Sequence, residues 1–183
     1  MSAEGELQSP EPASPDRPPL RPVKIGIALG SGSARGWAHI GILRALGERG
    51  IRPDVVAGAS IGSLVGAAYA STPLDTLEDW AMGLARMDVW RLLDTTIRRG
   101  GVMSGDRLMR AIREHLEDRD IEDLPIPFAA VATELDTGVE VWLREGPMLT
   151  AVRASSGIPG MFTPMWHQDR WLIDGGVVNP VPV

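Results

Sequence analysis

The stretch from Val55 to Leu64 constrains the fold more than any other part of the chain. It has the pattern of a short apolar strand, a turn of small residues and the start of a helix, and the turn is Gly58-x-Ser60-x-Gly62. A turn of this kind places a serine hydroxyl at the tip of a strand. Glycines on both sides of the serine remove side chains that would clash where the strand meets the helix. The stretch therefore predicts a strand–turn–helix unit with Ser60 as a candidate nucleophile.

A second apolar strand precedes this unit. Residues Val23 to Leu29 are almost continuously apolar, which is typical of a strand buried in a parallel sheet. A loop of small residues follows from Gly30 to Gly36, and a helical pattern then runs from Trp37 to about Glu48. Strand, helix and strand within about 35 residues predict a right-handed βαβ unit with a parallel sheet.

The rest of the chain predicts further helices and two hairpins. Pro73 ends the helix after Ser60, and turn signals at Asp136-Thr137-Gly138 and Gln168-Asp169 separate apolar segments. The predicted helices cover residues 61–70, 74–85, 89–93, 105–117 (with Ser104 as N-cap) and 148–155. The predicted strands cover residues 127–133, 139–143, 165–167 and 170–173. Strands that alternate with helices in this way indicate an α/β fold.

The first 22 residues differ in composition from the rest of the chain. They are rich in proline and acidic residues, and they have neither the basic start nor the apolar middle of a secretory signal. We interpret residues 1–22 as a disordered, solvated tail. Residues 23–183 are enough for one domain with a substantial core.

Charge and cysteine content exclude several classes of function. The net charge of −6 disfavours nucleic-acid binding, because that function needs a basic face. The absence of cysteine excludes disulfides, thiolate metal sites and a cysteine nucleophile. No apolar run reaches the roughly 18 residues of a membrane-spanning helix. We expect neither a metal nor a cofactor, and the sequence leaves the oligomeric state open.

The loop from Gly30 to Gly36 has two interpretations. Small residues at a strand end expose successive backbone N–H groups, which suits an oxyanion hole. The alternative is a dinucleotide-binding fingerprint, but the third glycine comes one place late and no acidic residue closes the second strand. Arg35 is interpreted either as a support of this loop or as an ordinary surface arginine.

The base that activates Ser60 is less obvious from the sequence. The histidines are His39, His115 and His167, and a triad of Ser60, Asp136 and His167 has the chain order of an α/β-hydrolase. That fold places several strands before its serine turn, whereas one strand precedes it here. Asp174 is the better candidate, because it ends a predicted strand and Gly175-Gly176 behind it allow close backbone approach. Taken alone, the same residues are also compatible with an ordinary Asp-Gly turn.

Three motifs in this order give the chain a specific resemblance. The loop Gly30 to Gly36, the turn Gly58-Ala59-Ser60-Ile61-Gly62 and the segment Asp174-Gly175-Gly176 together resemble the patatin-like phospholipase family, in particular its bacterial branch. The resemblance extends roughly from Val23 to Val183. It includes Trp37-Ala38-His39-Ile40-Gly41 after the loop and Val177-Val178-Asn179-Pro180 after the aspartate.

The resemblance implies a three-layer α/β/α fold with a mainly parallel central sheet. It also implies a Ser–Asp dyad without histidine, in which Ser60 is the nucleophile and Asp174 the base. The implied oxyanion hole is formed by Gly32, Ser33 and Ala34, and the implied supporting residues are Gly30, Arg35, Gly36, Gly58, Gly62, Gly175 and Gly176. Two departures stand out: the family often has glycine where this chain has Ser31 and Ser33, and it usually continues beyond the Asn179-Pro180 segment. We therefore expect the C-terminal part of the family domain to be missing from this chain.

The resemblance implies a lipid acyl hydrolase that cleaves an ester or phospholipid through an acyl-enzyme, without a cofactor. We expect a cytoplasmic protein with peripheral, transient membrane contact. The alternatives are an inactive fragment that binds lipid or a partner, and a nucleotide-binding module. Candidate residues for an acyl-binding surface are Met161, Phe162, Met165, Trp166, Trp80, Met87 and Trp90. Candidates for contact with anionic head groups, or for a plain solvated helix face, are Arg86, Arg91, Arg98 and Arg99.

Overall fold

A computed structural model describes residues 23–86 and 105–183. The strands are β1 (Gly26–Leu29), β2 (Val55–Ala59), β3 (Phe128–Glu134), β4 (Glu140–Leu143), β5 (Met165–His167) and β6 (Arg170–Asp174). The helices are α1 (Ala38–Glu48), α2 (Ile61–Ser71), α3 (Leu74–Arg86), α4 (Asp106–Arg113) and α5 (Met148–Ser155), with short 3-10 turns at Ser33–Trp37, Ile121–Asp123 and Gly175–Val177. The predicted tail 1–22, the predicted helix 89–93 and the Ser104 cap lie outside the described residues.

Three neighbouring strands of the sheet, β1, β2 and β3, are parallel. β1 pairs with β2 in the register Leu29 to Gly58, and β2 pairs with β3 in the register Ala59 to Val131. α1 connects β1 to β2, so the predicted strand–helix–strand unit is present. The prediction of an α/β fold with a mainly parallel sheet is therefore confirmed. β4 and β6 run antiparallel to β3, and β5 runs antiparallel to β6.

The strands β2 and β6 lie on the same edge of β3. Ala130 and Val131 pair with both β2 and β4, so these two strands occupy opposite edges of β3. Ala132 and Thr133 pair with both β4 and β6, so β6 also lies opposite β4. Because β2 is parallel to β3 and β6 is antiparallel to it, the carboxyl ends of β2 and β6 point at each other. Ala59 pairs with Val131 and Asp174 pairs with Ala132, so these ends meet without a gap.

Helix α2 packs closely against the parallel strands because it is built from small residues. At Gly66, an added Cβ would lie 3.0 Å from the Val56 side chain and 3.1 Å from the Phe128 ring. Val56 and Val65 are fully buried in this contact region. The small residues of α2 therefore bring the start of the helix, and Ser60 just before it, tight against the sheet.

Two element boundaries differ by three residues or more from the sequence-based expectation. The first strand begins at Gly26 instead of Val23, because pairing with β2 starts there and the Ile25 N–H donates to the Asp54 carboxylate at 2.7 Å. Val23 is exposed. The regular helix predicted to reach Glu117 ends at Arg113, and a turn continues to Leu116, whose N–H donates to the Ile112 carbonyl at 2.8 Å.

Candidate active site

Ser60 occupies a strained backbone position between β2 and α2. Its φ is 56° and its ψ is −124°, which a residue with a side chain rarely adopts. The glycines around it are required by contact distances: a Cβ on Gly62 would lie 2.0 Å from the Leu29 carbonyl oxygen, and one on Gly58 would lie 2.3 Å from the Gly62 carbonyl oxygen. The sharp turn expected from the sequence is therefore present, and backbone packing holds it.

The structure brings Ser60 and Asp174 into direct contact. The Ser60 hydroxyl donates a hydrogen bond to Asp174 Oδ2 over 2.6 Å. Both residues are 5% exposed. The meeting of the carboxyl ends of β2 and β6 on one edge of β3 explains this contact between residues 114 positions apart.

Hydrogen bonds fix the backbone and the carboxylate of Asp174. The second carboxylate oxygen, Oδ1, accepts from the Gly176 N–H at 2.8 Å, and the Asp174 carbonyl accepts from Thr133 Oγ1 at 2.8 Å. The Asp174 N–H donates to the Gly157 carbonyl at 3.0 Å. A Cβ on Gly175 would lie 1.9 Å from the Val131 carbonyl oxygen, so only glycine fits where the chain passes β3. The carboxylate therefore has one defined orientation toward Ser60.

Burial raises the pKa of Asp174 above its ordinary value of 3.8. The hydrogen bonds from Ser60 and from the Gly176 N–H act in the opposite direction, because they stabilise the ionised form, but desolvation is the larger effect. A raised pKa makes this carboxylate a stronger base than an exposed aspartate.

Ser155 also contacts the nucleophile, and the sequence analysis missed it. The Ser60 N–H donates to Ser155 Oγ at 2.9 Å, and Ser155 Oγ donates to the Val131 carbonyl at 2.5 Å. Ser155 is fully buried at the end of α5. The one available signal was a serine on the buried face of an amphipathic helix, which does not by itself indicate a partner 95 residues away.

The loop Gly30 to Gly36 lies beside Ser60, but only part of it faces the cavity that opens at Ser60. Of the three expected oxyanion residues, Ser33 lines this cavity, whereas Gly32 and Ala34 do not. Residues from Ser33 onward form a 3-10 turn, and Ser33 has a φ of 49°, in the left-handed region. The Ser31 N–H donates to the Pro180 carbonyl at 2.8 Å and is therefore already paired.

The supporting residues of this loop have different surroundings. A Cβ on Gly30 would lie 2.9 Å from the Pro180 carbonyl oxygen, and one on Gly36 would overlap the Ile61 side chain at 2.1 Å. A Cβ on Gly176 would lie 2.6 Å from Ser31 Oγ, which ties the loop to the segment after Asp174. Arg35 is exposed, and within the described ranges its guanidinium has no ion-pair partner.

No histidine lies in the hydrogen-bonding set around Ser60. His39 Nε2 lies 2.9 Å from the Gly30 carbonyl and donates to it, so this ring holds the loop. His115 stacks near the Trp80 ring at 5.9 Å, and His167 lies in the β5–β6 hairpin. The structure therefore does not assemble the alternative triad of Ser60, Asp136 and His167.

A cavity of about 210 Å³ opens at Ser60. Its polar lining residues are Ser33, Ser60, Arg153 and Ser156, and its apolar ones are Ile61, Leu64, Leu108, Met109, Ile112, Val152, Ile158, Met161 and Phe162. Met161 and Phe162 were expected at an acyl-binding surface. Trp80, Met165 and Trp166 were also expected there, but they do not line this cavity. Trp80 packs edge-on against Trp37 in the core, and Trp166 is exposed on β5.

The other expected lipid contacts cannot be placed. Met87, Trp90, Arg91, Arg98 and Arg99 lie outside the described residues, as does the side chain of Arg86. Among the helices of residues 23–86 and 105–183, none is long and apolar enough to cross a membrane. The same residues contain no cluster of histidine, cysteine and carboxylate side chains that would hold a metal ion.

Comparisons with known proteins relate both the sequence and the fold to one family. The family model described as patatin-like phospholipase matches residues 27–183. An uncharacterized NTE family protein of Mycobacterium tuberculosis is 42% identical over 160 residues, which cover 87% of this chain and 44% of that protein. The human patatin-like phospholipase domain-containing protein 6 is 34% identical over 165 residues, which cover 86% of this chain and 12% of that protein. The chain thus spans less than half the length of these relatives.

A solved structure supports the same assignment at the level of the fold. VipD from Legionella pneumophila superimposes with a TM-score of 0.58 at 12% sequence identity, over 89% of this chain and 51% of that one. The family model covers most of the chain, including the Ser60 turn and Asp174. The chain therefore belongs to the patatin-like phospholipase family.

Proposed function

We propose that this chain is a serine lipid acyl hydrolase that works through a Ser60–Asp174 dyad. The observation that carries the proposal is the 2.6 Å hydrogen bond from the Ser60 hydroxyl to Asp174 at the opening of an apolar cavity. A serine hydroxyl becomes an effective nucleophile only when a neighbouring group accepts its proton. Asp174 is the hydrogen-bond acceptor of that hydroxyl, and its raised pKa suits it to the role.

The reaction has two steps. In the first, Ser60 Oγ attacks the ester carbonyl carbon while Asp174 takes the hydroxyl proton, and Asp174 then gives this proton to the alcohol that leaves as the acyl-enzyme forms. In the second, Asp174 takes a proton from the water that attacks the acyl-enzyme, and it returns this proton to Ser60 Oγ as the bond to the acyl group breaks and the fatty acid is released. Backbone N–H groups near Ser33 and the start of α2 would stabilise the oxyanion in both steps. The apolar walls of the cavity favour an acyl chain as the group bound at Ser60.

The experiment is covalent labelling of the purified chain with a fluorophosphonate, together with hydrolysis of a chromogenic acyl ester. Ser60→Ala is expected to abolish both, and Asp174→Asn is expected to abolish hydrolysis while leaving the circular dichroism spectrum intact. Ser71→Ala is the matched control, because this serine lies at the far end of α2 and its hydroxyl bonds to the Ala67 carbonyl. Absence of labelling in the wild-type chain would overturn the proposal and favour a non-catalytic lipid-binding protein.

We also propose peripheral contact with a membrane through the β5–β6 hairpin. Trp166 and Trp171 are cross-strand partners, their rings meet edge to face at 5.1 Å, and they are 53% and 42% exposed. Tryptophan pairs of this kind favour the membrane–water interface. Replacement of both by alanine should reduce co-sedimentation with phosphatidylglycerol vesicles, and unchanged co-sedimentation would contradict this contact.

A further inference from the structure

A second cavity, of about 290 Å³, adjoins the catalytic cavity and has a basic wall. Met109 and Arg153 line both cavities, and the remaining lining residues of the second are Arg110, Arg113, Thr150 and Met165. Among the residues whose side chains the structure describes, no acidic one lines it. Three arginines around one cavity are notable in a chain whose net charge is −6.

Two of these arginines, Arg110 and Arg113, are exposed on α4. Arg110 is exposed, and none of the acidic side chains that the structure describes forms an ion pair with it. Arg113 is 57% exposed and pairs with Asp118 only at 3.7 Å, a separation at which a solvated ion pair is weak. Arg110 and Arg113 are three residues apart on α4, so their side chains lie on one side of the helix and repel each other. A bound anion would relieve that repulsion.

Arg153 connects this basic cavity to the nucleophile. It lies on α5 two residues before Ser155, the residue that accepts the Ser60 N–H. Its Nη2 donates to the Thr163 carbonyl at 2.9 Å, and its guanidinium lies 5.8 Å from the centre of the Phe162 ring, which orients the group. An anionic group attached to an ester at Ser60 would therefore meet Arg153 first and the two arginines of α4 beyond it.

We propose that Arg110, Arg113 and Arg153 form a phosphate-binding subsite for the head group of the ester substrate. The assignment of the phosphate to a lipid head group rests on the proposed hydrolase function. Phosphate binding by the three arginines does not depend on that function. Guanidinium groups match the geometry of phosphate oxygens and form strong, charge-assisted hydrogen bonds with them. The subsite would make the enzyme prefer phosphate-bearing lysolipids to neutral monoacylglycerols of the same chain length.

Binding is measured on the Ser60→Ala variant, which cannot turn over substrate. The probes are inorganic phosphate and glycerol 3-phosphate, titrated by ³¹P NMR. The double variant Arg110→Ala/Arg113→Ala is expected to weaken binding of both probes by about tenfold or more, the effect of one lost hydrogen bond to a charged group. Arg110→Lys/Arg113→Lys keeps the charge and should retain most of the affinity. Arg52→Ala is the charge-matched control, because Arg52 is exposed in the segment before β2, at the opposite end of that strand from Ser60.

Turnover then identifies the source of the phosphate. With Ser60 intact, the ratio of kcat/KM for 1-octanoyl lysophosphatidate to kcat/KM for 1-octanoyl glycerol should fall about tenfold or more in the double alanine variant, and it should stay within about twofold in Arg52→Ala.

Each contrary result has one meaning. Equal phosphate binding in the double alanine variant and in Arg52→Ala overturns the subsite. Weakened phosphate binding with an unchanged ratio overturns the head-group assignment and leaves a site for free phosphate. Arginine-dependent binding in a wild-type chain that hydrolyses neither ester overturns the proposed function but not the subsite.

Discussion

The two residues of the Ser60–Asp174 pair are held in place by different forces. Ser60 is fixed by close backbone packing, because Gly58 and Gly62 leave no room for even one added carbon atom. Asp174 is held largely by hydrogen bonds, and their partners include Thr133 on β3 and the Gly157 carbonyl after α5. The nucleophile is thus positioned by a local segment, whereas the proposed base is positioned by contacts from several parts of the chain. Substitutions on each side should therefore differ in kind as well as in size.

The largest effect is expected from Gly62→Ala. The added Cβ would lie 2.0 Å from the Leu29 carbonyl oxygen of β1, and β1 cannot move without disrupting its pairing with β2. We expect a loss of about 4 kcal/mol or more in the free energy of unfolding, measured by urea denaturation. Gly41→Ala on α1 is the control, since nothing lies within 4 Å of its added Cβ, and it should gain about 0.5–1 kcal/mol. Similar stabilities for the two variants would show that packing does not fix the turn.

Ser155→Ala tests the side-chain contact that accepts the Ser60 N–H. The substitution removes the acceptor of the Ser60 N–H inside a fully buried site, and leaving such a donor unpaired costs about 1–3 kcal/mol of stability. We also expect kcat for ester hydrolysis to fall while KM changes little, because the strained nucleophile loses its support. An effect no larger than that of Ser71→Ala, in both stability and kcat, would show that Ser155 does not position Ser60.

Asp174→Asn should reveal the cost of burying the carboxylate. Burial raises the pKa of Asp174 in the folded state above its unfolded value, so the folded state binds the proton more tightly. That contribution to stability is fully present below the unfolded pKa and is lost as the pH rises through the folded pKa. The asparagine variant should therefore be more stable than wild type at neutral pH, and the difference should shrink toward acidic pH. Urea denaturation over a pH series measures this, and a difference that grows toward acidic pH would contradict the sign.

The smallest expected effect is that of Ser33→Gly. Ser33 has a φ of 49°, where a side chain is strained and glycine is not. The substitution keeps the backbone N–H and should raise the free energy of unfolding by about 0.5–1 kcal/mol without loss of hydrolysis. Ser31→Gly is the comparison, because Ser31 is not in the left-handed region and should lose stability. Destabilisation by Ser33→Gly would mean that this serine side chain makes a contact the loop depends on.

Sequence reasoning succeeded where a local pattern carries the constraint. The apolar run before Gly58 and the small residues after Ser60 predicted β2, the turn and α2, because strand, glycine and helix preferences all act within ten residues. Asp174 was nominated by the glycines behind it and by the family resemblance, and its predicted position at the end of a strand agrees with β6.

The parts that sequence reasoning missed depend on contacts between distant segments. Ser155 follows the ordinary pattern of a buried helix face, and its importance arises only from its packing against β3. Trp80 and Trp166 are large and apolar, but hydrophobicity does not decide whether such a ring enters the core, the cavity or the surface. Arg110 and Arg113 fall within the predicted helix 105–117, and only the position of α5 shows that Arg153 joins them around one cavity.

The end-to-end meeting of β2 and β6 has a consequence for timing during synthesis. Ser60 leaves the ribosome 114 residues before Asp174, and the two meet only when β6 has docked on β3 with Asp174 opposite Ala132. A slip of one residue would shift the carboxylate by about 3.3 Å and turn it to the other face of the sheet. On the proposed mechanism, a nascent or misregistered chain cannot attack the lipids around it. Fluorophosphonate labelling therefore counts the molecules in which β6 has docked on β3 in the correct register.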